Sequence, residues 1–340
     1  MVTPLGTPQM PDYPGAPKHV EIVDVTPREA QQATGISLTV DETVELAAAS
    51  VAAGITRLQV GLPGQRQRDR EAAREIARSF GQVEVENVAL VFLDAWREEV
   101  GSCLELDCAR VNVVCRSSDR LQAASGLSRE SALERVRAAV EAASGAARVS
   151  FTPSDATRTD PEYLFELFQI AAAAGADRIY LADSMGVAWP GLMANLVARA
   201  CSELDIEVGV HCHDDLGLAT ANTLASIEAG ATVVDVAWNG LGDRAGNAAL
   251  EEIAVALEFV YGIRTTVELH ELTPSSRRVA AAVGRDVAPN KAIVGRDVFS
   301  HSLPTHVAAM RRDGRAIQPF EAELVGNVGM LGDAVATGKT

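Results

Sequence analysis

The chain has 340 residues, 47% of them hydrophobic and 22% charged, an ordinary soluble composition with room for one large domain and a small appendage. Its formal net charge of −16 argues against a nucleic-acid partner, which would need a basic patch, and no apolar run reaches the ~18 residues of a membrane span. The five cysteines (Cys103, Cys108, Cys115, Cys201 and Cys212) are odd in number and form no CxxC, which argues against a disulfide framework or zinc knuckle and fits reduced thiols in the cytoplasm.

Residues 1–18 are rich in Pro and Gly and lack an apolar core, so a mobile tail is expected there rather than a signal peptide. From His19 onward, strand-like runs alternate with helical ones. The strand candidates are residues 20–26, 57–62, 84–93, 109–115, 147–151, 178–183, 206–212 and 232–238. Continuous apolar runs of this kind suit parallel strands buried on both faces. Local signals start the helices. Thr39 and Glu42 form a capping box, and Asp160-Pro161 supplies an N-cap followed by a proline that loses no hydrogen bond. Leu250, Ile253, Ala254 and Leu257 make one apolar stripe. Eight βα units over residues 19–273 predict a (β/α)8 TIM barrel, an α/β fold. The competing doubly wound sheet lacks a GxGxxG after its first strand. Residues 274–340 hold a helical run from Ser275 to Val283 and then Gly/Pro-punctuated sequence, read as a C-terminal subdomain completing the active site.

A barrel of this kind places its active site at the carboxyl ends of the strands. Strand 1 ends in Asp24, Thr26, Arg28, Glu29 and Gln32, and strand 4 in Arg116, Ser117 and Ser118. Strand 5 ends in Thr152, Ser154 and Asp155, strand 6 in Asp183 and Ser184, and strand 7 in His211 and His213. Asn239, Arg244 and Asn247 fill the turn after strand 8. Strand alternation points His211 and His213 the same way, with Asp214 and Asp215 as further oxygen donors beside them. A carboxylate, two imidazoles and an amide suit Mg²⁺, Mn²⁺ or Zn²⁺ as a Lewis acid, and an arginine nearby would stabilise a developing oxyanion. Each piece also has a plainer reading: a hydrogen-bonded core histidine, or a rim ion pair between Arg28 and Glu29.

DVTPREAQQ (24–32), VHCHDDLGLATANTLASIEAGA (210–231) and NGLGDRAGNAALEE (239–252) resemble the signatures of the acyl-CoA-handling metallo-barrels. That group contains isopropylmalate, citramalate and homocitrate synthases, with hydroxymethylglutaryl-CoA lyase a more distant relative. The chain is most similar to the short homocitrate synthases. The resemblance implies Glu29, His211 and His213 as metal ligands, with Asn247 fourth or adjacent. It implies Arg28 polarising the ketone of a 2-oxo acid, and Ser184 at the position of a carboxylate-binding threonine. Gln32, Thr152 and Ser154 fall at substrate-binding positions. His301 and His306, in VGRDVFSHSLPTH (294–306), stand where one histidine acts as acid/base, reaching into a partner's barrel in a homodimer. The implied reaction is a Claisen-type condensation of acetyl-CoA with the oxo acid. Arg116 would hold a second anionic group, giving a dianionic substrate such as 2-oxoglutarate, oxaloacetate or a phosphonopyruvate-like acid. Ser154 replaces the group's usual glutamate, and Ser302 to Thr305 replace its usual ESGI. A retro-Claisen acyl-CoA lyase is the alternative, and a barrel that binds without catalysis is a third reading.

Overall fold

The computed structural model describes residues 17–332. Apart from its last two residues, the expected N-terminal tail (1–18) therefore lies outside the described residues, as does the end of the chain beyond 332. Eight parallel strands close into a barrel in sequence order: β1 Glu21–Asp24, β2 Arg57–Gly61, β3 Glu84–Leu90, β4 Arg110–Arg116, β5 Arg148–Ser154, β6 Arg178–Asp183, β7 Glu207–Cys212 and β8 Val233–Val236. The pairing of β1 with β8, from Glu21 on Val233 to Asp24 on Val236, closes the ring.

All eight expected strands form, and the differences lie at their ends. β3 stops at Leu90, three residues short of the expected end, and β5 runs on to Ser154. The β5 extension has a cause, because every residue from Arg110 to Arg116 on β4 finds a partner on β5. Thr152 and Ser154 are thus held by the sheet and not by a loop.

The helix signals act locally as read. Thr39 Oγ1 accepts from Glu42 N at 3.2 Å while the Glu42 carboxylate accepts from Thr39 N at 2.7 Å, starting the helix Val40–Ala52. Asp160 accepts from Tyr163 N at 3.0 Å ahead of Pro161–Ala173. Leu250, Ile253, Ala254 and Leu257 are all fully buried on the helix Leu250–Phe259.

The barrel's amino end is laced by alternating charges. Arg178 bridges Glu21 at 2.7 Å and Glu207 at 2.8 Å, Arg57 bridges Glu21 and Glu84, Arg148 reaches Glu84, and Arg110 pairs with Asp177. In this fold that end concerns stability.

After the last barrel helix, Leu272–Ala282 packs back on Val40–Ala52, where Ser275 Oγ donates to the Ala49 carbonyl at 2.9 Å. It begins three residues before the expected Ser275, because Leu272 and Thr273 already belong to its buried face. Lys291, 2.5 Å from Glu252 and 3.4 Å from Glu251, fastens the irregular segment that follows. The Phe320 ring meets Phe259 edge-on at 5.2 Å and Phe299 at a tilt at 5.5 Å, and together they join that segment to the barrel. Among the described residues no helix is long and apolar enough to cross a membrane.

Candidate metal centre and catalytic cavity

Residues 26–32 leave β1 as one helical turn (Thr26–Glu29) and a 3₁₀ turn, which brings Arg28, Glu29 and Gln32 to the barrel mouth. Thr26 and Asp24 fix this corner. Asp24 is fully buried and accepts from Thr26 N at 2.8 Å and Ser50 Oγ at 2.5 Å, while Trp238 donates to Thr26 and Ser50 at 2.8 and 2.9 Å. Asp24 is thus a structural residue beside the site. Burial pushes its carboxyl up to about 6.

Glu29, His211 and His213 are buried and offer ligand atoms that all lie within 4.8 Å of one another. The two Nε2 atoms are 3.3 Å apart and Glu29 Oε1 is 3.6 Å from His211 Nε2. Two nitrogens each ~2.1 Å from one ion at right angles would sit ~3 Å apart, so this spacing suits a shared cation. The protonation states suit it as well. Burial opposes charge on Glu29, but Arg28 at 2.7 Å, the two imidazoles and the Asn247 amide together outweigh it and bring the carboxyl down to about 2. Burial, then His211, brings His213 down to about 4, so its imidazole is neutral at pH 7. His213 pairs backbone to backbone with Asn247, whose Oδ1 is buried without a hydrogen-bond partner among the described residues. An unpaired buried amide oxygen at this point is a ready fourth donor. The residues present fit a divalent ion.

His211 is oriented from behind, its Nδ1 lying 3.0 Å from Asp235 Oδ2. A carboxylate can only accept, so Nδ1 carries the proton and Nε2 keeps its lone pair for the cavity. The turn after β8 has its own geometric demands. A Cβ on Gly246 (φ +95°) would fall 1.8 Å from the Gly240 carbonyl, and one on Gly242 would meet Asn247 and Glu29.

Asp214 and Asp215, expected as further oxygen donors, do not join the metal group. Asp214 accepts from Ala219 N at 2.8 Å at the start of the next helix. Asp215 grips Arg244 through contacts of 2.8 and 2.9 Å. Arg244 also reaches Asp243 at 2.6 Å and the Ser184 carbonyl at 2.7 Å, so it ties the loops after β6, β7 and β8 together.

A cavity of about 360 Å³ opens over this centre, lined among others by Arg28, Gln32, Arg116, Thr152, Ser154 and Ser184. Ser184 Oγ accepts from Asp155 N at 2.8 Å, which leaves its O–H to donate elsewhere. Arg116 lies 4.3 Å over the Phe92 ring and has no carboxylate partner among the described residues. His301 and His306 are absent from the lining. Their rings are 6.4 Å apart in the C-terminal segment, where His301 Nε2 is buried with no hydrogen-bond partner among the described residues.

Sequence reading missed four buried groups at the site: Gln59, Glu86, Asn112 and Asp235. The signal was present for Gln59, Asn112 and Asp235, each a polar residue in the middle of a largely apolar strand candidate, and weaker for Glu86, which shares its run with Glu84 and Asn87.

The chain resembles known proteins in sequence and in fold. The HMGL-like family model matches residues 19–279. "Homocitrate synthase AksA" of Methanopyrus kandleri is 36% identical over 91% of this chain and 78% of its own length. A "Probable 2-isopropylmalate synthase" of the same organism is 38% identical over 92% of this chain and 62% of its own. Among solved structures, hydroxymethylglutaryl-CoA lyase from Pseudomonas aeruginosa superposes with a TM-score of 0.69 at 26% identity, over 80% of this chain and 95% of that one.

Proposed function

Because the chain belongs to the HMGL-like family, we propose that it is an acyltransferase condensing acetyl-CoA with a 2-oxo acid to give a 2-substituted malate and CoA. The observation that carries this is the Glu29, His211 and His213 group, with Arg28 at 2.7 Å from Glu29, on the wall of one cavity. The named relatives favour the synthetic direction over a retro-Claisen lyase, with which the chain shares its fold.

Glu29, His211, His213 and Asn247 would hold the divalent ion, Mg²⁺, Mn²⁺ or Zn²⁺. When bound, it supplies Lewis-acid polarisation of the ketone. Arg28, anchored by Glu29 and Gln59, turns its remaining N–H groups to the ketone oxygen as negative charge develops there. Ser184 donates to the 1-carboxylate, with Gln32, Thr152 and Ser154 as further polar walls. A base removes a methyl proton from acetyl-CoA, and the resulting carbanion carbon bonds to C2 of the oxo acid. The ketone oxygen takes up a proton as the C=O becomes C–OH. Water then attacks the thioester carbonyl, the C–S bond breaks, and CoA leaves as its thiol. His301 or His306 is assigned as acid/base, reaching a partner's barrel in a homodimer. The unpaired thiols support a cytoplasmic location.

Arg116, the cavity cation with no carboxylate partner among the described residues, supports a dianionic oxo acid such as 2-oxoglutarate, oxaloacetate or a phosphonopyruvate-like acid. The test is release of CoA thiol from acetyl-CoA across a panel of 2-oxo acids, with and without chelator. Release that needs both an oxo acid and metal supports the reading. Release from an acyl-CoA without any oxo acid would make the protein a lyase. Arg116→Ala is expected to raise KM for the best dianion about tenfold and to spare monoanions, and an unchanged KM removes the dianion assignment.

A further inference from the structure

Directly beneath the cavity the barrel interior is polar, where branched apolar side chains usually fill such a barrel. Gln59 on β2, Glu86 on β3 and Asn112 on β4 are all buried, and Glu86 does not belong to the metal group. We propose that Glu86 is a positioning residue: through one carboxylate oxygen it sets the amides of Gln59 and Asn112, and through them it aims Arg28 and Thr152 at the substrate. The proposal deepens the condensing activity and rests on it for its kinetic arm.

Glu86 Oε1 accepts from Gln59 Nε2 and, at 3.2 Å, from Asn112 Nδ2. With its NH₂ committed to Glu86, Gln59 presents its carbonyl oxygen to Arg28 Nε. The opposite amide orientation would set a carbonyl against the Glu86 oxygen and an NH₂ against a guanidinium, losing both contacts. Asn112 is fixed the same way, so its Oδ1 accepts the Thr152 O–H at 2.8 Å. Thr152 therefore turns its lone pairs, and not its proton, to the cavity it lines. One buried oxygen thus decides the polarity of two walls.

The arrangement does not depend on the charge of Glu86. A neutral carboxyl carries its proton on the other oxygen and leaves Oε1 an acceptor. Glutamine at position 86 has the same acceptor, whereas methionine has none and frees both amides to turn. Arg28 would then lose its aim while the metal ligands stay in place.

The test compares Glu86→Met, Glu86→Gln, Gln59→Leu and the Glu86→Met/Gln59→Leu double variant in turnover, in metal content and in the side-chain Nε–H NMR signal of Arg28. That signal is assigned by its loss in Arg28→Lys. Glu86→Met is expected to lower kcat about 100-fold with KM for acetyl-CoA within about twofold, as loss of an aimed oxyanion donor does. Glu86→Gln should stay within about fivefold of wild type, and the double variant should be no worse than its worse parent, because both break one chain. The Arg28 signal should shift in Glu86→Met and return in Glu86→Gln. Equal losses in the Met and Gln variants, additive losses in the double variant, or an Arg28 signal unmoved in Glu86→Met overturn the proposal. Should Glu86→Met fail to fold, Glu86→Asp, which withdraws the oxygen by one carbon, carries the same expectations. A wild-type protein that releases no CoA with any oxo acid defeats the condensing function alone, and the Arg28 signal then decides this proposal.

Discussion

At Asp235 a single carboxylate oxygen, 3.0 Å from His211 Nδ1, decides which imidazole nitrogen faces the cavity. Asp235→Ala leaves every proposed ligand present, yet it should weaken divalent-metal affinity about 10–100-fold, read by calorimetric titration. An unchanged affinity would show that the tautomer is set elsewhere. Asp24 makes a different prediction. Its carboxyl is raised from 3.8 to about 6, so between those values the folded state holds the proton more tightly than the unfolded chain. Its contribution to stability is complete below pH 3.8 and is lost as pH rises through about 6. Asp24→Asn should remove that fall, amounting to roughly 3 kcal/mol, from the pH profile of urea midpoints. Parallel profiles for wild type and variant would refute the assignment. At this scale the histidine pair was legible in the sequence because alternation along a strand is a local rule. Asp235 was legible as a polar interior position, but its role was not, since that comes from register with His211 across two strands.

At the scale of elements, the turn from Asn239 to Asn247 shows how loop geometry holds chemistry in place. Gly246 sits at φ +95° with the Gly240 carbonyl where its Cβ would be, so Gly246→Ala must displace the turn that carries Asn247. The expected result is a protein with unchanged far-ultraviolet circular dichroism and greatly weakened metal binding. Full metal affinity in this variant would mean that the turn can shift without consequence. Strands and helix starts were legible because burial on both faces and capping pairs leave marks within a few residues. The ends of β3 and β5 were not, because pairing with a neighbour decides how far a strand runs. The fates of Asp214 and Asp215 were hidden for a related reason. A carboxylate next to two histidines reads as a ligand until the partners brought by other loops, Ala219 N and Arg244, are known.

For the whole molecule, the barrel ends divide the work, with an ion-paired amino end and a chemically equipped carboxyl end. The single chain leaves His301 and His306 outside the cavity lining, which makes the homodimer proposal sharply testable. Neither Arg28→Ala nor a His301→Ala/His306→Ala double variant should turn over alone, and refolding the two together should restore activity in mixed dimers. Inactive mixtures alongside confirmed mixed dimers would place the acid/base within one chain. The polar column of Gln59, Glu86 and Asn112 has a consequence for how such an enzyme can change. These residues sit in paired strands, whereas Ser184 and the clamp on Arg244 sit on the loops and rim above them. Rim segments that carry no metal ligand, such as the one bearing Ser184, can therefore be exchanged between relatives, by evolution or by grafting, and the polar column that aims Arg28 travels unchanged with the strands.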